Sequence, residues 1–221
     1  MINFKKTLFA LICGIVLTGS MTSCLDSNDN GGNTWVPPTE VEKAAAIAAA
    51  TGSYTGKVHT LNQSSQQEFT SDVNFRIYSY DTLLVAHDFP VSAFANLVSE
   101  YNVKQILQNA PVQEFMAKVR PYYVATDYYE FAFVPTQELA FKSTDEKGVS
   151  YDVKVSFADY LIAGSTTYQP IAVYQKGKKS ASDPTIVEVF GGNILISNIS
   201  VGGVEYNVNA LVAIQGTKNS Q

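Results

Sequence analysis

Asp72-Val73-Asn74-Phe75-Arg76-Ile77-Tyr78 is the stretch whose reading decides the fold. Val73, Phe75 and Ile77 fall on one side of an extended chain, and Asp72, Asn74 and Arg76 on the other. Successive side chains of a strand point to opposite faces, so this is a strand with one buried and one wet face. The same period recurs in Val149 to Phe157, where Val149, Tyr151, Val153, Val155 and Phe157 oppose Ser150, Asp152, Lys154 and Ser156. It recurs again in Val204 to Asn209, where Val204, Tyr206 and Val208 oppose Glu205, Asn207 and Asn209. Turn residues separate such runs. Gly202-Gly203 suits a two-residue hairpin, whose central residues both need positive φ. Asp145 to Gly148 closes a hairpin between Glu138–Lys142 and Val149–Phe157. Gly191-Gly192-Asn193 is expected to separate strand Ile186–Phe190 from strand Ile194–Ser197. Strands joined by tight turns run antiparallel. The expected fold is mainly β, an antiparallel barrel or sandwich of roughly eight to ten strands, with an α+β arrangement left open.

Two regions depart from this period. Thr39 and Glu42 form a capping box after Pro37-Pro38, and the Ala-rich run from Lys43 to Ala50 favours a helix. Thr51-Gly52 should end it, with Gly52 placed for a left-handed conformation. Ala-rich helices bury little area per residue, so this one is expected to lie flat on a sheet or to plug a barrel end. Between Asp88 and Tyr123, apolar residues recur at helical spacing: Phe94, Leu97 and Val98, then Ile106 and Leu107, then Phe115, Met116 and Val119. Pro90, Pro111 and Pro121 punctuate the stretch, which reads as an insertion of two or three short helices. No internal repeat and no second-domain boundary is evident, so residues 39–217 are read as one β-rich globular domain.

The composition, 46% hydrophobic and 16% charged, supplies enough apolar side chain for a core. Fifteen basic residues stand against 20 acidic ones, for a net charge of −5. A nucleic-acid partner needs a basic footprint to neutralise phosphates, and no run of Lys or Arg exceeds Lys178-Lys179.

The first 23 residues have the parts of a secretion signal: Lys5 and Lys6, an apolar stretch from Leu8 to Leu17 too short to span a bilayer, and small or polar residues up to Ser23. Met21-Thr22-Ser23-Cys24 resembles the lipobox of bacterial lipoproteins, with Met21 where Leu is commoner. The resemblance implies cleavage before Cys24 and acyl chains on its sulfur, a firm membrane anchor. Removing the leader takes away Lys5, Lys6 and Cys13. That leaves 13 basic against 20 acidic residues, a charge of −7, and one cysteine with no partner for a disulfide. Residues 24–38, polar and Gly-rich, read as a flexible tether. Asp26 and Asp29 resemble the surface-export signals of lipoproteins from Gram-negative gut anaerobes, which implies an outer-membrane address, with the periplasmic or the outward-facing leaflet left open. Asp26-x-Asn28-x-Asn30-Gly31 imitates the start of a calcium loop. The twelfth position, where a bidentate Glu is required, is Pro37.

Chemistry is sparse. With two histidines, His59 and His87, and no cysteine in the domain, a Cys/His zinc site is excluded within one chain. No metal and no cofactor is expected. Serine-nucleophile elbows, phosphate loops and dinucleotide glycine fingerprints are absent. Gly52-Ser53-Tyr54-Thr55-Gly56 is glycine-rich but leads into a strand. Asp127, Glu130, Asp152 and Asp159 could serve as paired carboxylates only if the fold brought two of them together, and the chain is read as not an enzyme. The strongest binding signal is Tyr122-Tyr123-Val124-Ala125-Thr126-Asp127-Tyr128-Tyr129. Strand alternation makes half of these rings core. Tyr129 shares its face with Phe131 and Phe133, so Tyr128 is the better ligand contact, with Tyr122, Tyr123 and Asp127 as further candidates.

Cys24 with its acidic tether, Gly52-Ser53-Tyr54-Thr55-Gly56 and Asp88-Phe89-Pro90-Val91 together resemble the small uncharacterised lipoproteins of Gram-negative gut anaerobes. These are grouped as domains of unknown function, some likened to calycin-type barrels. The resemblance implies no catalytic residues. The expected function is a non-catalytic, lipid-anchored envelope protein that binds a glycan, a small lipophile or a protein partner. A structural or assembly component of the outer membrane is the alternative, and a hydrolase comes third.

Overall fold

In the computed structural model, the described residues are 37–61, 68–158, 171–180 and 182–220. Helix α1 (Glu40–Ala50) is followed by β1 (Gly52–Leu61), β2 (Glu68–Tyr78) and β3 (Leu83–Phe89). A 3-10 segment (Val91–Leu97) and helix α2 (Tyr101–Gln108) come next. The remaining strands are β4 (Gln113–Ala125), β5 (Tyr128–Pro135), β6 (Leu139–Thr144), β7 (Ser150–Ala158), β8 (Ile171–Lys178), β9 (Ile186–Val201) and β10 (Val204–Lys218).

Of the two architectures open from sequence, the pairing selects the barrel. Strands β1 to β5 form an antiparallel meander. Strand β5 then pairs with β8, β8 with β9, and β9 with β10, which returns to β1. Eight strands therefore close on themselves, which removes the sheet edges. The β6–β7 hairpin branches from this ring. Strand β9 pairs with β8 through residues 186–192 and with β7 through residues 195–201. The outer edge of β6 is met by α2: Asn109 Nδ2 donates to Thr144 O (3.0 Å) and Ser143 Oγ donates to Ile106 O (2.6 Å).

Eight strands enclose an interior about wide enough for side chains alone to fill, and aromatic rings fill it here. Tyr54 stacks on Phe75 with centroids 5.0 Å apart, and both meet Phe190 at about 6 Å. From Phe190 the contacts run to Phe131 and Phe133, from Phe133 to Phe115, from Phe115 to Phe89, and from Phe89 to Phe94. Helix α1 sits at the end of the barrel where β1 begins. The 3-10 segment closes the other end through Phe94 and through Asn96, which donates to Thr60. Charged pairs such as Lys57–Asp72 and Lys142–Asp152 stand on the outside. An apolar interior with a charged exterior is the reverse of a membrane-spanning barrel. No described helix is long and apolar enough to cross a membrane.

The capping box at Thr39 and Glu42 is present, and Gly202 and Gly203 turn the β9–β10 hairpin with φ of 59° and 83°. Three expectations are corrected. Gly191-Gly192-Asn193 is not a turn, because β9 runs through it unbroken. Gly192 is there for space: a Cβ on it would come within 2.8 Å of the Phe133 ring. Phe115, Met116 and Val119 lie on β4, so the insertion holds only the 3-10 segment and α2. Phe115 and Val119 are buried at even spacing, which strand and helix both permit in so short a run. Gly52 does not cap α1 in the left-handed region. Thr51 ends the helix in an extended conformation, and Gly52, with φ of 150°, already belongs to β1.

The seam between β1 and β10 explains the Gly-Ser-Tyr-Thr-Gly motif. Gly56 faces Gly216 across the ladder, and a Cβ on Gly56 would fall 1.8 Å from Gln215 O. A Cβ on Gly52 would meet the Lys218 side chain at 2.6 Å. Tyr54, between them, points into the core. Gly56→Ala must therefore push the two strands apart where the ring closes. The expected result is a loss of about 3 kcal/mol or more in chemical denaturation, against little change for exposed Thr55→Ala. A wild-type midpoint for Gly56→Ala would contradict the seam.

Candidate functional site

The end of the barrel capped by α1 also carries the β2–β3 turn, the β4–β5 turn and the connection from β8 to β9. The sequence candidates lie on the β4–β5 turn. A bulge between Pro121 and Tyr123 interrupts the β4–β5 register, so Tyr122 is the extra residue of β4. Tyr123 then stands opposite Glu130, and Ala125 opposite Tyr128. The bulge changes the expected division of rings. Of the four tyrosines only Tyr129 packs with the core, where it stacks on Tyr174 with centroids 5.6 Å apart. Tyr123 and Tyr128 share the outer face with Glu130, and the Tyr128 hydroxyl donates to Glu130 Oε1 at 2.8 Å. Tyr123 is 39% exposed. Asp127 occupies the turn with φ of 59°, and its carbonyl accepts from the Lys176 backbone N–H (2.9 Å).

The other chemical candidates are dispersed. Asp127 lies at the α1 end. Asp152 lies at the opposite end, paired with Lys142 at 2.9 Å and accepting from Gly202 N through its carbonyl. Asp159, Cys24 and the Asp26–Gly31 stretch lie outside the described residues. His59 pairs with Glu68 (2.6 Å) and His87 with Glu114 (2.7 Å), each across neighbouring strands. Among the described residues, no group of three or more His, Cys, Asp or Glu side chains is placed to hold a metal ion.

A second polar cluster was not anticipated. Lys218 and Glu188 are on the inward faces of β10 and β9, just inside the mouth under α1. Lys218 Nζ donates to Ala49 O (2.7 Å) at the C-terminus of α1. It also lies 2.9 Å from Glu188 Oε2, a solvent-shielded oxygen, off the line of a good hydrogen bond. The same ammonium is 5.9 Å from the Tyr174 ring centre. The Tyr54 hydroxyl donates to Ala50 O (2.6 Å) and the Thr51 hydroxyl to Ile47 O (2.7 Å). Two carbonyls that the last turn of a helix leaves without backbone partners, those of Ala49 and Ala50, are thus satisfied, and a cation sits at the negative end of the helix dipole. Burial raises the Tyr174 phenol well above its usual range, and its hydrogen bond to Glu188 adds to this. Burial alone would raise the Glu188 carboxyl. Its contacts with Lys218 and Tyr174 and the charges of Lys218 and Lys176 outweigh burial, and the net shift is downward. The available signal was period two carried past the apolar run: Val212, Ile214, Gly216 and Lys218 share one face.

A carboxyl whose folded pKa is depressed stabilises the fold above its unfolded value of about 4.3, and that contribution is lost as pH falls through the folded pKa. Lys218→Met should therefore cost about 1–3 kcal/mol at pH 7. The difference from wild type should shrink below about pH 4 as Glu188 protonates. Denaturation curves at the two pH values check this; a pH-independent difference would assign the loss to packing alone.

Residues 49–184 match a family described as a domain of unknown function, DUF4840. The match runs from the end of α1 through β8 and stops before β9 and β10, the strands that close the ring. Comparison with curated proteins and with solved structures gives no match. The match covers more than half of the chain, and the protein belongs to the DUF4840 family.

Proposed function

We propose that this protein is a lipid-anchored, non-catalytic binding module of the outer membrane, and that it takes a glycan on the outer face of the barrel end bearing Tyr123 and Tyr128. One observation carries the reading. Among the described residues a continuous series of ring contacts runs through the lumen from Tyr54 to Phe94, which favours a ligand outside the barrel, where tyrosines and a carboxylate are presented. The electron-rich face of a tyrosine attracts the C–H face of a sugar ring. Glu130, fixed by Tyr128, supplies an acceptor for sugar hydroxyls. A hydrolase would need carboxylates converging in a cleft; Asp127 and Asp152 sit at opposite ends, and Glu130, on the same hairpin as Asp127, stands on the outer face held by Tyr128. An assembly component would need a broad apolar face. Exposed Val41, Val149, Ile186 and Val204 are scattered over α1, the β6–β7 turn, β9 and β10.

Anchoring through Cys24 follows from the leader and lipobox-like sequence. Cys24→Ala is expected to abolish incorporation of labelled fatty acid and to move the protein from the membrane fraction to the soluble fraction. Retention with an unmodified thiol would end the lipoprotein reading. For binding, the acylated mature protein in detergent should bind polysaccharides on a glycan array. Tyr128→Ala and Tyr123→Ala should each weaken binding by about tenfold, as expected for a contact worth about 1.4 kcal/mol, with unchanged thermal stability. Unaltered binding by both variants would remove the site from this face.

A further inference from the structure

We propose that the bound glycan is acidic, a polymer whose sugars carry carboxylate or sulfate groups, and that it lies along the outer face of β2, β3 and β4 beside the tyrosines. This rests on the glycan reading above and names the class of glycan.

The chain has two arginines, Arg76 and Arg120, in a protein with net charge −5. Both are exposed on the outer face of the barrel, Arg76 on β2 and Arg120 on β4, with Lys118 two residues before Arg120. Several exposed lysines pair with carboxylates, as in Lys57–Asp72 on the barrel exterior and Lys142–Asp152 and Lys154–Glu138 on the β6–β7 hairpin. Arg76, Lys118 and Arg120 have no carboxylate at ion-pair distance among the described residues. An acidic surface that leaves its only guanidiniums without carboxylate partners on one face, about 16 Å apart by register, is suited to an anionic polymer. Guanidinium groups bind carboxylate and sulfate oxygens through paired N–H donors.

The register places these cations on one outer face, along a diagonal from β2 to β4. Tyr78 faces Leu83, and Leu83 faces Lys118, so one row crosses β2, β3 and β4. Arg76 lies one outward position before Tyr78, and Arg120 one beyond Lys118. From Arg76 to Tyr123 the surface extends about 20 Å along the strands, enough for several sugar rings. Carboxylates also present on this face are Glu130, engaged by Tyr128, Asp81 in the β2–β3 turn, Asp72, paired with Lys57, and Glu114, paired with His87.

The β2–β3 turn adds a rigid aromatic step. Asp81 and Thr82 both have left-handed backbones, with φ of 55° and 49°. For β-branched Thr82 this conformation is costly, about 1–3 kcal/mol. Two contacts hold it: Thr82 O accepts from Val119 N (2.8 Å) and Asp81 O from Lys118 Nζ (3.4 Å). The turn presents Tyr80, 66% exposed, with its ring 5.2 Å from that of Tyr78. The Arg76 guanidinium lies over the Tyr78 ring at 5.1 Å. Arg76, Tyr78 and Tyr80 thus form a contiguous cluster at the surface, with the two rings tilted by 51°, and a pre-ordered cluster loses little entropy when a ligand joins it.

The test titrates the acylated protein in detergent with polygalacturonate (carboxylate only), dextran sulfate (sulfate only) and neutral dextran, and repeats the series with R76Q/R120Q and R76K/R120K. Binding to at least one acidic polymer is expected, weakened by about tenfold or more in the Gln variant and by added salt, with partial rescue by Lys and unchanged melting. The polymer that binds identifies the anion. Tyr128-dependent binding to a neutral glycan that is indifferent to both arginines would overturn the acidic assignment and leave the glycan reading standing. Failure to bind any glycan would overturn both. Arginine-dependent binding only to phosphatidylglycerol vesicles would identify a lipid surface and also overturn the proposal.

Discussion

The structure depends on the closure of β10 against β1. Seven antiparallel contacts would make an open, curled ribbon with two bare edges, and the eighth makes a barrel. That last pairing requires two backbones to approach where Gly56 faces Gly216, and side chains there would hold them apart. It also carries Lys218 into the mouth, where one ammonium reaches the carboxylate of Glu188 and a carbonyl of α1. Ring closure, the seating of the helix and the burial of a charged pair are therefore one event. The charge is tolerated because it has both an anion and a helix terminus as partners.

The interior follows from that closure. An eight-stranded ring leaves room for one layer of inward side chains, and here rings from opposite walls meet, with Phe190 touching Tyr54, Phe75, Phe131 and Phe133. Space for those rings comes from Gly192 and Gly216, whose missing side chains are replaced by Phe133 and Phe75. A filled lumen moves the search for a ligand to the outside. There the bulge at Tyr122 and the turn at Asp81–Thr82 set the directions of the exposed tyrosines.

Much of the fold was legible because strand period and turn chemistry are local. Val73, Phe75 and Ile77 identified a face, and Gly202-Gly203 identified a turn. What was not legible was non-local. Gly191-Gly192 has the composition of a turn, and only the presence of Phe133 across the barrel shows why glycine is needed in mid-strand. Phe115, Met116 and Val119 fit helical spacing as well as they fit β4, and pairing with β3 decided the matter. The tyrosine cluster was visible as composition, but the bulge that turns Tyr123 outward was not. Lys218 and Glu188, 30 residues apart, become neighbours only through register, and register alone puts Arg76 and Arg120 on one face.

The seam has a further consequence for biosynthesis. Residues 54–60 find their partners at 212–218, almost the whole length of the domain away. Contacts so distant in the chain slow folding, because a large loop must close before they contribute. While the polypeptide emerges, β1 waits with one unsatisfied edge, and the aromatic residues of the meander stay partly open to water. A nascent chain not yet extended through β10 is thus adhesive and protease-sensitive, and protection arrives only when that strand does. A ring closed by β10 cannot mature before that strand is made, so any chaperone serving it must hold the chain until β10 has emerged.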